Sequence, residues 1–339
     1  MQVFIHIGLP KTGTTFLQRE VFPKLDVLYL NDSNDPANNP TRLFDHLRGI
    51  QLVERHVDET ANSLSELIKN TLDQAGDNKN LLWSWEGLVG NHLLGNLNER
   101  AYADIIKKAV PNAKIIITLR RQSDFTESNY VQTIHNYSWG SPEDFILRDK
   151  NGNFSDFIFK SNRSNPVLSI KTLNWESLVD IYEQRFGKDN ILVMPYELMN
   201  KDFNSFMAHF SAFLGCQLTE PVIHKMENRS FSRHSFLIAR FLNRFVKRSG
   251  SPFGFIVNRP FCEQLLPHIH NNRAARLAYG ILRRLDLRRI LQEYIDKFYW
   301  RPNKAFKEEL KQEILAWHKD SNKRLDEKYT AGLSDFGYY

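Results

Sequence analysis

The residues best suited to chemistry stand in the segment GLPKTGTT, which starts at Gly8 and directly follows a short apolar run. Its two glycines permit a tight turn, and its threonines supply hydroxyl donors at the start of the apolar-periodic stretch that follows. When a strand turns through such a loop into a helix, backbone N–H groups and the positive end of the helix dipole face one point. The segment therefore predicts an anion-binding loop, formed by Pro10, Lys11, Thr12, Gly13, Thr14 and Thr15.

The position of its lysine distinguishes this loop from the common nucleoside triphosphatase loop, GxxxxGK[ST]. In that loop the lysine follows the second glycine, but here Thr14 stands there and the lysine comes earlier, at Lys11. The apolar run 114–119 ends in Arg120 and Arg121, not in an aspartate that would hold Mg²⁺. The histidines show no HExxH spacing. The sequence therefore predicts an anion site that works without a metal.

A second constellation lies in LRRQSDFTESNY, where Arg120 ends a predicted strand and Ser128 follows eight residues later on a predicted helix. An arginine in this place can grip a phosphate bidentately, and the serine can donate a further hydrogen bond to the same group. Arg121 is the neighbouring candidate, and the register favours Arg120. The pair predicts a second phosphate site.

Both constellations resemble the cofactor motifs of the sulfotransferases that depend on 3′-phosphoadenosine 5′-phosphosulfate (PAPS). The resemblance implies that the loop around PKTGTTFLQ holds the 5′-phosphosulfate, and that Arg120 and Ser128 hold the 3′-phosphate. The late glycine-rich arginine-lysine segment of the family is not evident here. NRSFSR, at 228–233, is the candidate replacement, and by this resemblance Arg229 is a further cofactor candidate. PYELM at 195–199, FLG at 213–215 and the ending at 322–339 also resemble the family, and we interpret them as architectural.

Sulfonate transfer resembles phosphoryl transfer, in which positioning and charge stabilisation supply most of the acceleration. Lys11 is placed to neutralise charge on the departing phosphate. A base must also take the proton of the acceptor hydroxyl. Glu86 is the candidate, because it follows the apolar run LLWSW at the sheet edge where ligands of open α/β folds collect. Carbohydrate-modifying relatives that use a glutamate keep it at a similar strand end. His135, about two turns beyond Ser128, is the rival base and is expected to project toward the same cleft.

Four apolar runs predict the strands that position these residues, at 2–7, 81–85, 114–119 and 190–195. Helical patterns alternate with them, which predicts an α/β fold of the P-loop type with a mostly parallel sheet flanked by helices. After about Cys216 arginine-rich helical patterns predict a helical C-terminal cover. We interpret 1–339 as one sulfotransferase domain, with an α/β cofactor-binding core at 1–215 and the cover at 216–339.

Composition excludes several classes of protein. The 339 residues include two cysteines, too few for a disulfide framework or a thiolate metal site. No segment approaches the roughly 18 uninterrupted apolar residues that span a bilayer. The net charge of +6 suits an anionic ligand. Its excess lies in two stretches, at 240–248 and 273–289, which we interpret as solvated helix faces because no nucleic-acid motif accompanies them.

The sequence thus predicts a sulfotransferase that moves the sulfonate of PAPS to a hydroxyl of a carbohydrate or glycoconjugate, with no nucleic-acid partner. Alternatives are a P-loop kinase or other phosphotransferase, and a non-catalytic nucleotide- or polyanion-binding protein. The loops 31–41 and 138–166 are expected to determine the acceptor, and the oligomeric state stays open. Because the first residues already form a predicted strand, no leader is expected, and a cytoplasmic location follows. Candidates for stacking on sugar rings are Trp83, Trp85, Tyr137 and Trp139.

Overall fold

The chain folds into two compact units, each described here by itself. A computed structural model describes residues 1–30, 40–45, 47, 53–75, 79–90, 93, 98–155, 166–222, 231–246, 254, 256, 272–284, 286–297 and 304–339. Unit 1 comprises Met1–Phe125, Ser169–Glu227 and Lys311–Tyr339, and unit 2 comprises Thr126–Leu168 and Asn228–Leu310. The interpretation of the chain as one domain with a core and a cover stays a prediction.

Unit 1 contains a five-stranded parallel sheet with the strand order β2-β3-β1-β4-β5. The strands are β1 (Val3–Gly8), β2 (Leu28–Leu30), β3 (Leu81–Ser84), β4 (Lys114–Leu119) and β5 (Ile191–Pro195). All six residues of β1 are buried, as expected for the central strand of a sheet covered on both faces. The predicted α/β fold with a parallel sheet is confirmed, whereas the short strand β2 was not predicted.

Thirteen α-helices accompany the strands within the described ranges. They are α1 (Thr14–Phe16), α2 (Pro40–Asp45), α3 (Glu54–Ala75), α4 (Glu99–Ala109), α5 (Gln122–His135), α6 (Pro142–Phe145), α7 (Trp175–Phe186), α8 (Tyr196–Lys201), α9 (Phe203–Leu214), α10 (Arg233–Leu242), α11 (Arg273–Arg284), α12 (Leu287–Ile290) and α13 (Glu308–Tyr329). Helix α1 continues into a π-helical turn, Leu17–Val21, and a 3₁₀ turn, Phe22–Lys24. Helix α5 begins in unit 1 and ends in unit 2.

Both faces of the sheet carry aromatic cores, because successive side chains of a strand point to opposite sides. On one face, Phe4 of β1 shares a buried cluster with Phe22 and with Phe210 of α9. On the other, Trp83 of β3 packs against Phe44 of α2, with ring centroids 5.5 Å apart. Since both faces are covered, the carboxyl ends of the strands are the edge at which polar loops gather.

His6 is the polar residue at the centre of the sheet. Its Nδ1 is hydrogen-bonded to Oγ of Ser84 in β3 at 2.8 Å, and its Nε2 to Oγ1 of Thr118 in β4 at 2.9 Å. The ring is completely buried, and this burial lowers the pKa of His6 from 6.5 to about 3. A neutral imidazole therefore links the three central strands beneath the anion-binding loop.

Unit 2 is helical in its described residues. Tyr130 of α5 lies at its centre, where its ring packs against Phe145, Phe236 and Phe306. Past Cys216 the described residues form helices and isolated bridges, in agreement with the predicted helical C-terminal part. Within the described ranges, no helix combines the length and apolar character needed to cross a membrane.

The neutral state of His6 predicts a loss of stability in mild acid. Between the folded pKa of about 3 and the ordinary value of 6.5, the unfolded chain binds a proton that the native chain does not. The free energy of unfolding therefore falls as the pH is lowered through this window, by about 2 kcal/mol between about pH 7 and pH 5. In His6→Asn this contribution should vanish from the pH dependence measured by urea denaturation.

The exposed His209 provides the matched control, because His209→Asn should keep the full pH dependence. His318 is also buried, and burial lowers its pKa to about 4, so a residual slope of the same sign should remain in His6→Asn. An unchanged slope in His6→Asn would show that His6 is protonated in the folded protein.

Candidate functional site

The predicted anion-binding loop lies between the end of β1 and the start of α1. Two of its residues have positive φ angles, Lys11 at 68° and Gly13 at 74°. The positive φ of Gly13 favours glycine, and a Cβ atom there would also have to displace Cε of Met199, which would lie 2.3 Å away. Lys11 adopts a backbone conformation that is uncommon for a residue with a side chain. Such conformations persist where the surroundings hold them, and they cluster at ligand sites.

The threonines of the loop divide into two groups. Thr12 donates from Oγ1 to the carbonyl oxygen of Leu9 at 2.6 Å, Thr14 does so at 3.4 Å, and both are buried. Their hydroxyls therefore stabilise the turn from inside. Thr15 is half-exposed, and its hydroxyl makes no hydrogen bond within the described part of the chain. Of the predicted hydroxyl donors, Thr15 is the one that the loop itself does not use.

The start of α1 also offers main-chain donors. A bond from the N–H of Leu17 to the oxygen of Gly13 opens the helical pattern, so the amides of residues 14–16 have no partner within the helix. Pro10 lies half-buried at the turn that precedes them. Amides at a helix start attract anions, and the anion-binding role of the loop stays a prediction.

Arg120 joins this loop from the neighbouring strand. It follows β4 directly, and its Nη1 donates to the carbonyl oxygen of Lys11 at 2.6 Å. Its guanidinium lies 5.1 Å from the ring centroid of Tyr196, and its own carbonyl accepts a hydrogen bond from Nε1 of Trp175 at 2.8 Å. The Nε atom of Arg120 is buried and has no hydrogen-bond partner among the described residues. The ion pairs found in this part of the chain do not include Arg120 either.

Arg121 has the opposite environment. Its Nε and Nη2 donate to Oδ2 of Asp124 at 2.8 and 2.6 Å, and its Nη1 donates to the carbonyl oxygen of Phe336 at 3.1 Å. Lys311 lies 3.3 Å from the other oxygen of Asp124. Burial alone would raise the pKa of Asp124, but these cations and Arg120 hold it below its ordinary value. Arg121 is therefore a structural residue with its charge balanced.

A carboxylate ties the same turn to the C-terminal segment. Glu197 accepts from the main-chain N–H of Arg121 at 3.0 Å through Oε1, and from the hydroxyl of Tyr338 at 2.8 Å through Oε2. Tyr338 is fully buried, and Asn322 donates to its carbonyl oxygen at 2.9 Å. Burial, followed by the charge of Glu197, raises the pKa of Tyr338 far above its ordinary range. The neutral phenol thus holds Glu197 in place beside the β4 turn.

Glu86, the candidate base, lies at the same carboxyl edge of the sheet. It opens a 3₁₀ turn, Glu86–Val89, directly after β3, and its side chain is exposed. The N–H of Trp85 still bonds to the oxygen of His6, so β3 runs beside β1 up to the residue before Glu86. Gln18, from the extension of α1, donates to the carbonyl oxygen of Ser84 at 3.1 Å. These contacts set Glu86 next to the elements that carry the anion-binding loop.

The other predicted site residues belong to unit 2 or lie outside the described residues. Ser128 is half-buried on the second turn of α5. His135 ends that helix and is buried, with its ring centroid 3.7 Å from that of Phe231, so it packs within unit 2. Arg229 lies outside the described residues, as does much of each predicted acceptor loop, at 31–39 and 156–165. The roles of these residues stay predictions.

The side chains that surround Arg120 and Arg121 were not predicted as parts of the site. The predicted strands 114–119 and 190–195 did contain one signal. In the structure Leu119 pairs with Pro195, so the residues that follow the two strands, Arg120 and Tyr196, lie side by side. The contact of Tyr338 with Glu197 spans 141 positions and has no local sequence signal. No group of three or more His, Cys, Asp or Glu residues suited to a metal occurs in the described part of the chain. The expectation of a metal-free reaction stays a prediction.

Comparison with known families identifies the class of protein. The model of the family described as "Sulfotransferase domain" matches residues 2–237, which is more than half of the chain. The chain therefore belongs to this sulfotransferase family, and the prediction of a sulfotransferase is confirmed. The match decides against the kinase and the non-catalytic alternatives. A search of curated proteins found no match.

Solved structures with some likeness to the chain carry related descriptions. A sulfotransferase from Alicyclobacillus acidocaldarius is 17% identical, covers 81% of this chain and 98% of its own, and has a TM-score of 0.44. A mouse sulfotransferase complexed with PAP is 16% identical over 81% and 87% of the two chains, with a TM-score of 0.29. Retinol dehydratase, in complex with androsterone and the inactive cofactor PAP, is 15% identical over 94% and 80%, with a TM-score of 0.27. The family assignment rests on the sequence match alone.

The contact between Tyr338 and Glu197 predicts a measurable stability difference between two adjacent tyrosines. Tyr338→Phe removes one buried hydrogen bond to a carboxylate and should lower the free energy of unfolding by about 2 kcal/mol. Tyr339 donates to Asp326 at 2.9 Å but is exposed, so Tyr339→Phe should change it by about 0.5 kcal/mol or less. Urea denaturation of both variants measures the difference, and equal losses would contradict a special role for Tyr338.

Proposed function

We propose that this sulfotransferase moves the sulfonate group of PAPS to a hydroxyl of a carbohydrate or glycoconjugate acceptor. The observation that carries the proposal is the environment of Arg120. A guanidinium with a buried, unpartnered Nε among the described residues, and with no ion-pair carboxylate there, lacks the anion that such a group requires. The hydrogen bond from its Nη1 to the carbonyl oxygen of Lys11 places the guanidinium directly beside the anion-binding loop.

PAPS, the sulfonate donor, fits these residues because its phosphate groups are anions that cationic side chains, amides and hydroxyls can bind. The amides at the start of α1, which have no partner within the helix, would hold the 5′-phosphosulfate together with the half-exposed hydroxyl of Thr15 and the side chain of Lys11. Arg120, with Ser128 as the resemblance implies, would hold the 3′-phosphate. Arg121 is an unsuitable holder, because Asp124 and the oxygen of Phe336 already engage its guanidinium. The donor supplies an activated sulfonate on a phosphate leaving group.

The remaining chemistry falls to Lys11 and Glu86. Glu86 takes the proton of the acceptor hydroxyl while that oxygen forms its bond to sulfur. Lys11 stabilises the charge that appears on the phosphate oxygen as its bond to sulfur breaks. The exposure of Glu86 supports this role, because a base for an external acceptor must be reachable from solvent.

A carbohydrate acceptor is supported by the position of Glu86, which resembles that of the glutamate base in carbohydrate-modifying relatives. Trp139 is the one exposed ring among the four aromatic candidates, since Trp83, Trp85 and Tyr137 are buried. An exposed indole suits stacking on a sugar ring. We place the reaction in the cytoplasm, where PAPS is made.

Arg120→Ala is expected to weaken binding of PAP, the desulfonated product of PAPS, by about 10- to 100-fold. Adenosine 5′-monophosphate lacks the 3′-phosphate, so its weaker binding should change little. Isothermal titration of both ligands measures the difference. Arg55→Ala, on the exposed surface of α3, is the control and should bind both ligands like the wild type. Equal losses for both ligands would mean that Arg120 serves the loop through Lys11 and not the 3′-phosphate.

Glu86→Gln is expected to lower the rate of sulfonate transfer by about 10² to 10⁴, because the amide keeps the size of the carboxylate but cannot accept the proton. PAP affinity and melting temperature should stay close to those of the wild type, since the side chain is exposed. Turnover is measured with a sugar-acceptor panel, and PAP binding by titration.

Glu20→Gln, on the extension of α1, serves as the matched carboxylate control and should leave turnover unchanged. A stable Glu86→Gln enzyme with near-normal turnover would remove Glu86 from the mechanism. Absence of PAP binding to the wild-type protein would overturn the proposed donor itself.

A further inference from the structure

The charge of the chain is concentrated in one stretch, in which Arg229 alone is a candidate for the cofactor site. Between residues 228 and 285 the sequence holds eleven arginines and lysines but one acidic residue, Glu263. This stretch therefore carries +10, whereas the whole chain carries +6, so all other residues together carry −4. Such an asymmetry indicates attraction to an extended anionic partner.

Helix α10, within this stretch, has two different apolar faces. Its buried face, with Phe236 and Ala239, packs into unit 2. Its opposite face carries Leu237 and Phe241, one turn apart and 53% and 57% exposed, and Ile238 beside them. The exposed Arg233 lies one turn before Leu237. An uncovered face with large apolar side chains next to arginine differs from an ordinary solvated helix surface.

Helix α11 repeats this combination. Leu277 and Ile281 lie one turn apart and are 68% and 51% exposed. Arg273 and Arg276, in the first turn, are exposed as well. The residues of this helix include no acidic side chain. The interpretation of these basic stretches as solvated faces therefore accounts for their arginines but leaves their exposed leucine, isoleucine and phenylalanine side chains unexplained.

The acidic side chains that follow α11 do not neutralise these faces. Asp286 accepts from the hydroxyl of Tyr137 at 2.8 Å, and Asp296 accepts from the N–H of Ser232 at 3.2 Å. Glu293 is paired with Arg289 on its own helical turn at 2.6 Å. The described acids that follow α11 are thus engaged within unit 2.

We infer that α10 and α11 form a docking surface for an anionic lipid bilayer. A bilayer offers both things that these faces require, phosphate headgroups for the arginines and a shallow apolar layer for the leucine, isoleucine and phenylalanine side chains. Nucleic acid would satisfy the arginines alone. The helices would lie along the bilayer surface without crossing it, which goes beyond the proposed reaction and does not depend on it.

The test uses the full chain and vesicles of two compositions, phosphatidylcholine alone and phosphatidylcholine with about 30% phosphatidylglycerol. Co-sedimentation should show binding to the anionic vesicles and little to the neutral ones. Leu237→Ser with Phe241→Ser should weaken this binding about tenfold or more, because the apolar contact is lost. Arg273→Gln with Arg276→Gln should weaken it by about fivefold for each arginine.

Matched controls come from α13 of unit 1. Trp317→Ser removes an exposed aromatic side chain, and Lys319→Gln with Lys323→Gln removes two exposed charges, so both variants should bind vesicles like the wild type. All variants should melt like the wild type, since the altered side chains are exposed.

Several results would overturn the inference. These are failure of the wild type to bind anionic vesicles, equal binding to both compositions, or full binding by the Leu237 and Phe241 variant. Self-association of the wild type that disappears in this variant, without vesicle binding, would assign the face to a second copy of the chain. Binding of duplex DNA that survives the Leu237 and Phe241 changes, again without vesicle binding, would assign the arginines to nucleic acid.

Discussion

The hydrogen bond from Arg120 to the main-chain oxygen of Lys11 joins the two loops on which the site depends. It connects the end of β4 to the turn after β1, and these two strands are adjacent in the sheet. The bond satisfies one N–H of the guanidinium, and no carboxylate among the described residues lies in ion-pair contact with it. Trp175 and Tyr196 fix the residue from its other sides. The fold therefore holds the guanidinium of Arg120 in place without an ion-pair carboxylate among the described residues, as the proposed 3′-phosphate site requires.

Two consecutive arginines, Arg120 and Arg121, have different electrostatic environments at this edge of the sheet. The guanidinium of Arg121 donates hydrogen bonds to Asp124 and to the carbonyl oxygen of Phe336, and its main-chain N–H donates to Glu197. This network, which includes Tyr338, fixes the backbone immediately after Arg120. A balanced, rigid neighbour allows an unbalanced charge to keep its position, which is the arrangement that a preorganised anion site requires. The two adjacent arginines thus differ in their partners and not in their type, and the proposed phosphate-binding role falls to Arg120.

Local sequence patterns predicted the elements that carry strong signals. The apolar runs of β1, β3, β4 and β5 and the glycine-containing loop were predicted because burial and turn chemistry are local properties. Strand β2 was missed because three residues, Leu28–Leu30, are too few to show a period. The inward bonds of Thr12 and Thr14 depend on how the loop curls back to Leu9, and residue type does not encode this. The partners of Arg121 come from distant segments, which single-sequence reasoning cannot bring together.

The last residues of the sequence complete unit 1, although its final strand, β5, lies more than a hundred positions earlier. During synthesis on the ribosome, all five strands are made before Tyr338, the partner of Glu197, and Phe336, the partner of Arg121. The whole of the stretch 228–310, which belongs to unit 2, must emerge first. The contacts of Tyr338 and Phe336 beside the turn that carries Arg120 can therefore form only after residues 228–310 have been synthesised.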